Sequence, residues 1–172
     1  MVPVNFLTLT IKREILEMSD GQIPVNLSDL PITVATLDES EVYTGELSRM
    51  TLAPKTDKNG NLYCSIATVV QGGDYDGQTI GRGYLAIPRA ITEDMSKSER
   101  IKAQNAAAPF ARFCRSFKID GQMPGLSLSD HEAWDHWASQ QIGRLGKFSV
   151  QNQEYPEGSG QFRSGINDFV VS

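Results

Sequence analysis

Apolar and polar residues alternate in three consecutive segments near the middle of the chain, at residues 42–53, 62–70 and 78–87. Alternation with a period of two is typical of half-buried β-strands. The connections between these segments contain turn-forming residues: Asp57, Asn59 and Gly60 in the first, and a glycine-rich run at 72–77 in the second. Such residues tolerate the backbone conformations that tight connections need. The pattern therefore predicts three antiparallel strands in immediate succession.

A helical period follows the third segment. Residues 96–108 are rich in alanine and charged residues, and we expect Pro109 to end this helix or to begin a new turn. An apolar stripe then appears at spacings of three, four and seven residues, formed by Phe110, Phe113, Cys114 and Phe117. Such spacing lines one face of a helix. We expect this face to be buried against the strands.

A second helix and a final pair of strands complete the pattern. Ser129-Asp130-His131-Glu132 has the form of a capping box, which predicts a short helix through Trp134, Trp137 and Ile142. Residues 144–154 and 161–170 alternate again. Three strands, helices and two strands follow the order of an OB-type barrel. The sequence thus predicts a mainly β fold: a five-stranded OB-like antiparallel barrel with helices between strands 3 and 4.

Charge separates the beginning of the chain from the rest. The net charge is −6 over residues 1–46 and +1 over residues 47–172. We therefore divide the chain into an acidic N-terminal extension, residues 1–40, and a barrel domain, residues 41–172; residues 4–11 have the pattern of a further strand. The extension is expected to repel phosphate. Because the rest is near neutral, it can carry a local basic face, and the total charge of −5 does not exclude a nucleic-acid partner.

The sequence indicates a cytoplasmic location, which is the cytoplasm of the host cell if the protein is viral. No apolar run approaches the roughly 20 residues that cross a bilayer. The N-terminal apolar stretch has no basic residue ahead of it and is not typical of a signal peptide. Cys64 and Cys114 stand in apolar surroundings, next to Tyr63 and Phe113, and are interpreted as buried free thiols.

Residues that could suggest catalysis or metal binding do not have the spacing that such sites need. His131 and His136 are five residues apart and point in different directions around a helix, so with Asp135 they are interpreted as a solvated polar face. Gly72-Gly73 and Gly81-Arg82-Gly83 lack the neighbours of phosphate-binding loops and are interpreted as turn and bulge positions. We expect no catalytic residues, no metal and no cofactor, and hence no enzyme.

Aromatic and basic side chains interleave along the predicted strands and their turns. Single-stranded nucleic acids are bound by this combination, because bases stack on flat rings and cations follow the phosphates. About half of the aromatics must be core residues in any β-domain. A β-sandwich with solvated charges would give a similar pattern, so composition alone leaves both interpretations open.

Several turn and register motifs together resemble a known family. They are Tyr43-Thr44-Gly45-Glu46, the Lys-x-x-x-Asn-Gly-x-Leu hairpin at 55–62, the Val-x-x-Gly-x-Tyr-x-Gly-x-x-Ile turn at 70–80, the helix end at 113–117 and the segment 142–148, followed by Tyr155. Over residues 40–172 the chain is similar to a phage-encoded family of small OB-fold single-stranded DNA-binding proteins found near replication and recombination genes. The first forty residues have no recognised counterpart.

The resemblance implies binding of single-stranded DNA without strong sequence preference, in viral replication or recombination. Candidate contact residues are the following: Tyr63, Tyr75, Arg82, Tyr84, Arg144, Lys147, Phe148, Tyr155 and Arg163. Replication or recombination proteins are further candidate partners. Two alternatives stay open: a virion structural β-domain, and a phage regulatory protein whose acidic N-terminal segment mimics DNA to inhibit a host enzyme.

Overall fold

The computed structural model of the protein describes residues 26, 28, 35–89, 91–124 and 131–172. Residues 35–172 form one compact unit. Its elements in chain order are β1 (Val42–Leu52), β2 (Tyr63–Val70), β3 (Thr79–Ala86), α1 (Lys97–Ser116), α2 (His131–Ser139), β4 (Leu145–Glu154) and β5 (Phe162–Val170). The fold is mainly β with two helices between β3 and β4, as the sequence predicted.

The five strands close into a barrel in the order β1-β2-β3-β5-β4. Neighbouring strands are antiparallel except at the seam between β3 and β5, where a parallel bridge joins Gly81 to Gly165. A barrel of this strand order with helices after the third strand is OB-like, which confirms the predicted architecture. The seam is the weakest part of the wall, because its backbone pairing is confined to that bridge.

Alternation along each strand builds the core. In β1, Tyr43, Gly45 and Leu47 face inward, a bulge after Leu47 shifts the register, and the inward positions then continue with Met50 and Leu52. A β-bulge adds one residue to a strand and changes which residues face the core. The largest fully buried side chains are those of Trp134, Phe113, Phe117, Phe148, Leu37 and Leu47.

Helix α1 covers the barrel with the predicted aromatic stripe. Phe110, Phe113 and Phe117 are buried, and the ring of Phe113 contacts Phe169 of β5 at a centroid distance of 5.2 Å. The prediction that this stripe is buried is confirmed. Ser96 begins the helix with a capping box shared with Glu99. This satisfies backbone N–H groups that the first turn would leave unpaired.

The predicted helix end at Pro109 is wrong, because α1 runs through Pro109 to Ser116 without a break. A proline inside a helix removes one hydrogen bond and costs roughly 3 kcal/mol. Burial of a phenylalanine side chain returns about 1.5–3 kcal/mol, and three of them follow Pro109 on the same face. Tertiary packing therefore outweighs the local preference.

Helix α2 begins at His131, and its Trp134 is fully buried, with Nε1–H donating to the carbonyl of Met50 at 3.4 Å. The predicted capping residues Ser129 and Asp130 lie outside the described residues, as does the predicted strand at 4–11. Among the described residues no helix is both long and apolar enough to cross a membrane.

Some residues that were assigned to the acidic extension pack on the barrel. Leu37 is buried, its N–H donates to Ser164 Oγ at 2.8 Å, and its carbonyl accepts from Asn152 Nδ2 at 2.9 Å. Both partners belong to the β4–β5 hairpin. The chain thus joins the core several residues before β1, and the domain boundary near residue 40 stays a prediction.

Candidate nucleic-acid interface

A bulge in β3 turns Tyr84 to the outside of the barrel. Cys64 of β2 pairs with Leu85, whereas Ile66 pairs with Arg82, so β3 carries one extra residue between these pairs. This is the bulge that the sequence predicted around Gly81-Arg82-Gly83. Without it Tyr84 would share the inward side of Ile80. With it, 46% of Tyr84 is exposed and its ring lies 5.0 Å from that of Tyr63 on β2.

The loop between β1 and β2, residues 53–62, is anchored to this tyrosine pair. The hydroxyl of Tyr84 donates to Asp57 at 2.7 Å. The same carboxylate accepts from the backbone N–H groups of Asn59 and Asn61, each at 2.8 Å. The hydrogen bond from Tyr84, followed by the loop amides, lowers the pKa of Asp57 to about 2. Asp57 therefore stays ionised at neutral pH and fixes both the loop and the ring.

The hairpin between β4 and β5 carries a second exposed ring. Tyr155 is 59% exposed, and the guanidinium of Arg163 lies 4.8 Å from its ring centroid. Arg163 pairs with Gln153 of β4, and Gly165 pairs with Gln151. These four residues lie on the outward side of the β4–β5 pair, because Ile166 and Val150 occupy the inward side.

A shallow groove of about 400 Å³ crosses the seam from Tyr84 to Gln153, the residue of β4 that pairs with Arg163. It is lined by Gly81, Arg82, Gly83 and Tyr84 of β3, Gln151 and Gln153 of β4, and Gly165, Ile166 and Asn167 of β5. Three of these residues are glycines, so backbone is exposed along the groove and a flat group can approach closely. We call the outer surface formed by Tyr63, Tyr84, the groove, Arg163 and Tyr155 the tyrosine face.

Arg82 is part of the seam rather than a free cation. Its Nε donates to the carbonyl of Tyr84 at 3.1 Å, and its Nη1 donates to the carbonyl of Asn167 at 2.8 Å. The guanidinium also lies 5.6 Å from the ring centroid of Phe169. Burial lowers its pKa from the ordinary value. Arg82 thus replaces missing backbone pairing between β3 and β5, and we remove it from the proposed phosphate contacts.

Two of the predicted aromatics are not available for stacking. Phe148 is fully buried, where it packs against Tyr43 with ring centroids 6.3 Å apart, and is a core residue. Tyr75 is partly buried and contacts the same Tyr43 edge-on at 6.0 Å. The cleft beside it is lined by carboxylates of Asp38, Glu41 and Asp74, which disfavour phosphate.

Arg144 and Lys147 lie at the opposite end of β4 from Tyr155. Arg144 donates through Nη1 to the carbonyl of Lys118 beyond the end of α1. Lys147 is exposed, but it lies eight positions before Tyr155, which is about 26 Å along an extended strand. Of the nine predicted contact residues, the structure brings together two pairs on the outer surface, Tyr63 with Tyr84 and Tyr155 with Arg163.

Three side chains of this surface were missed by reasoning from the sequence. Asp57 was interpreted only as a turn residue, although its spacing to Asn59 and Asn61 is typical of a carboxylate that accepts from following amides. Gln151 and Gln153 alternate with the inward Val150 and Asn152, so strand alternation alone already placed them outside. No protein-family model matches the sequence, and no curated protein is significantly similar to it.

Proposed function

We propose that this protein binds single-stranded DNA, largely without sequence preference, and acts without catalysis. The observation that carries the proposal is the tyrosine face on the outside of a closed five-stranded barrel. It combines the exposed ring of Tyr84 in a glycine-lined groove with the exposed ring of Tyr155 beside Arg163, which pairs with the groove residue Gln153. Stacking of a base on an aromatic side chain contributes roughly 1–3 kcal/mol and tolerates any base, because every base has a π-face.

The position of the tyrosine face on the barrel supports this function. OB-type barrels bind oligonucleotides across strands 2 and 3 and through the loops that join strands 1 and 2 and strands 4 and 5. Tyr63 and Tyr84 belong to strands 2 and 3, Asp57 to the first of these loops and Tyr155 to the second. The tyrosine face therefore occupies the position on the barrel where OB-type barrels bind oligonucleotides. The proposed contacts with DNA rest on the chemistry of its side chains.

Cations are distributed around the same face. Arg163 lies over Tyr155 at one end, and Lys55 and Lys58 are exposed on the loop that holds Asp57 at the other end. The carboxylate of Asp57 accepts three short hydrogen bonds within the protein, which disperses its charge. A phosphate backbone that runs from Tyr155 to Tyr63 therefore meets a cation near each end. The further proposal of a role in viral replication or recombination rests on the resemblance to the phage family.

A fluorescence titration with labelled oligo-dT tests the proposal. Three phosphate contacts give a salt slope of about −2, since each contributes roughly 0.7 for single strands. We therefore expect binding at micromolar protein in 50 mM salt and an affinity about twentyfold lower in 200 mM salt. A duplex of equal length should bind more weakly, because its bases are already stacked. Undetectable binding at micromolar protein in low salt would reject the proposal and favour the virion structural alternative.

Matched aromatic variants connect the binding to the tyrosine face. Tyr155 and Phe162 are both more than half exposed, at 59% and 52%. Phe162 precedes Arg163 on β5 and therefore points to the opposite side of the strand. Tyr155→Ala should weaken oligo-dT binding by about 5-fold or more, whereas Phe162→Ala should leave it unchanged. Equal effects of the two substitutions would place the binding surface elsewhere.

A further inference from the structure

A second cavity lies behind the loop that anchors Tyr84. It has a volume of about 410 Å³ and is lined by Asn59 and Asn61 of the loop, Ile87 and Arg89 after β3, and Lys102 and Ala106 of α1. Ligand sites in proteins begin at roughly 300 Å³, so the volume suffices for one small organic group. The cavity shares its loop with the tyrosine face but opens between that loop and the first half of α1.

The charged groups at this cavity are cationic. Arg89 and Lys102 are both exposed, and neither forms an ion pair within the described part of the chain. Glu99 is close enough for both cations to contribute to lowering its pKa, after the larger effect of its hydrogen bonds with Ser96. Its carboxylate accepts from the N–H of Ser96 at 2.8 Å and so is committed to the start of α1. Two positive charges therefore remain for an external anion.

The apolar and the polar residues of the cavity supply different chemistry. Ile87 and Ala103 are buried and form an apolar surface, and Ala106 adds no side chain beyond Cβ. The side-chain amide of Asn59 has no hydrogen-bond partner among the described residues, whereas that of Asn61 donates to Asp57. An apolar wall, a free amide and two cations match the flat base, the polar base edge and the phosphate of a nucleotide.

Asp57 joins the cavity to the tyrosine face. Its carboxylate accepts from the hydroxyl of Tyr84 and from the backbone N–H groups of Asn59 and Asn61, the two loop residues that line the cavity. A strand that passes over Tyr84 and Tyr63 therefore reaches the cavity by crossing the loop. We propose that the cavity holds one further nucleotide of the bound single strand, with its phosphate on Arg89 and Lys102 and its base against Ile87 and Ala103. This inference rests on the proposed function.

The test compares two double variants that remove the same charge. Arg89→Gln/Lys102→Gln neutralises the cavity. Arg115→Gln/Lys118→Gln neutralises the other end of α1, about 20 Å away along the helix axis, where both residues are exposed. Each protein is titrated with oligo-dT of increasing length, from about 4 to 16 nucleotides, which is the range of site sizes for one OB fold. Thermal melts of all variants check that they are folded.

We expect the cavity variant to bind about 5–10-fold more weakly in 50 mM salt, with a salt slope reduced by about 0.7, the contribution of one phosphate. It should also lose the gain in affinity that the wild type shows when the strand becomes long enough to enter the cavity. The control variant should retain the wild-type slope and length dependence.

Three outcomes would overturn this inference, and they differ in what they mean for the proposed function. If the cavity variant keeps the wild-type affinity, slope and length dependence while Tyr155→Ala weakens binding, the cavity inference is overturned and the tyrosine face stands. If the wild type binds no oligo-dT, both proposals fail. An equal loss in the two double variants would show a general effect of charge and would also overturn the cavity site.

Discussion

The hydroxyl of Tyr84 donates a 2.7 Å hydrogen bond to the carboxylate of Asp57, which ties a bulge in β3 to the loop between β1 and β2. The bulge exposes the ring, and the hydrogen bond holds it beside Tyr63. A side chain fixed in this way loses little freedom when a base stacks on it, which lowers the entropic cost of binding. The contact is therefore expected to matter for affinity as well as for the loop.

Substitution of Tyr84 separates stacking from anchoring. Tyr84→Ala should weaken oligo-dT binding by roughly 1–3 kcal/mol. It should lower the melting temperature only as far as loss of the bond to Asp57 does, because about half of the side chain is exposed. Tyr84→Phe keeps the ring and loses the bond to Asp57, so it should weaken binding less than Tyr84→Ala does. Titrations and thermal melts of both variants measure this. A Tyr84→Ala protein that is unstable but binds normally when folded would assign the ring to the core instead.

The same contact predicts a pH dependence at the acidic end. The pKa of Asp57 is lowered from 3.8 to about 2, so the contact stabilises the folded state above about pH 4 and this contribution is lost as the pH falls through about 2. The melting temperature of the wild type should exceed that of Asp57→Asn at pH 5–7, and the difference should shrink between pH 4 and 2. A difference that is constant down to pH 2 would show that the ionised carboxylate is not the source.

At alkaline pH the other group of this contact, the hydroxyl of Tyr84, loses its proton. The hydrogen bond to Asp57 is the main cause that raises the pKa of Tyr84 to about 12. A raised pKa in the folded state means that the stabilisation is present below pH 10 and is lost as the pH rises through about 12. In the ultraviolet titration of phenolate, Tyr84 should ionise near 12 in the wild type and closer to 10 in Asp57→Asn. Unchanged titration curves would contradict the contact.

The strands were predictable because their signals are local. The segments predicted at 42–53 and 161–170 correspond to the strands Val42–Leu52 and Phe162–Val170. Their alternation and turn residues lie within or next to each segment. The run of α1 through Pro109 was not predictable in this way. Its cause is the packing of Phe110, Phe113 and Phe117 on strands that are distant in the sequence.

The candidate site was predictable only in part, because it depends on which side of each strand a residue occupies. Lys147 and Phe148 are neighbours on β4 and point to opposite sides, so they could never have contacted the same strand of DNA. That exclusion was available from the sequence. The outward position of Tyr84 was not, because it requires the register shift between β2 and β3. A bulge reverses the side to which the following side chains point, and the glycines near it are its only signal in the sequence.

The aromatic stripe of α1 should contribute strongly to stability. Phe113 is fully buried between Phe110, Phe117 and Phe169, so Phe113→Ala should cost roughly 3–5 kcal/mol in the free energy of unfolding. Phe162→Ala removes an exposed ring and should cost less than about 1 kcal/mol. Urea denaturation of the two variants measures both values. A loss below about 1 kcal/mol for Phe113→Ala would contradict the packing.

A close approach between β4 and α1 should make one glycine irreplaceable. A Cβ atom at Gly146 would overlap the ring of Phe117, which is fully buried and has no free direction in which to move. Gly146→Ala should therefore cost about 1–3 kcal/mol by overpacking. Gly83→Ala is the control, because a Cβ there has no heavy atom within 4 Å. It should be neutral or slightly stabilising in urea denaturation, since alanine restricts the unfolded chain. Equal costs at both positions would contradict the steric account.

Two arginines that look alike in the sequence should behave in opposite ways. Arg82 bonds the carbonyls of Tyr84 and Asn167 across the seam, whereas Arg163 is exposed beside Tyr155. Arg82→Gln should lower the free energy of unfolding by about 1–3 kcal/mol, because both carbonyls lose a charged donor, and should leave the salt slope of the folded protein unchanged. Arg163→Gln should keep the stability within about 0.5 kcal/mol and reduce the salt slope by about 0.7. Urea denaturation and oligo-dT titrations at two salt concentrations measure the two effects independently. If Arg82→Gln reduced the slope while the stability stayed constant, its guanidinium would be a phosphate contact after all, and the seam would be held by the backbone alone.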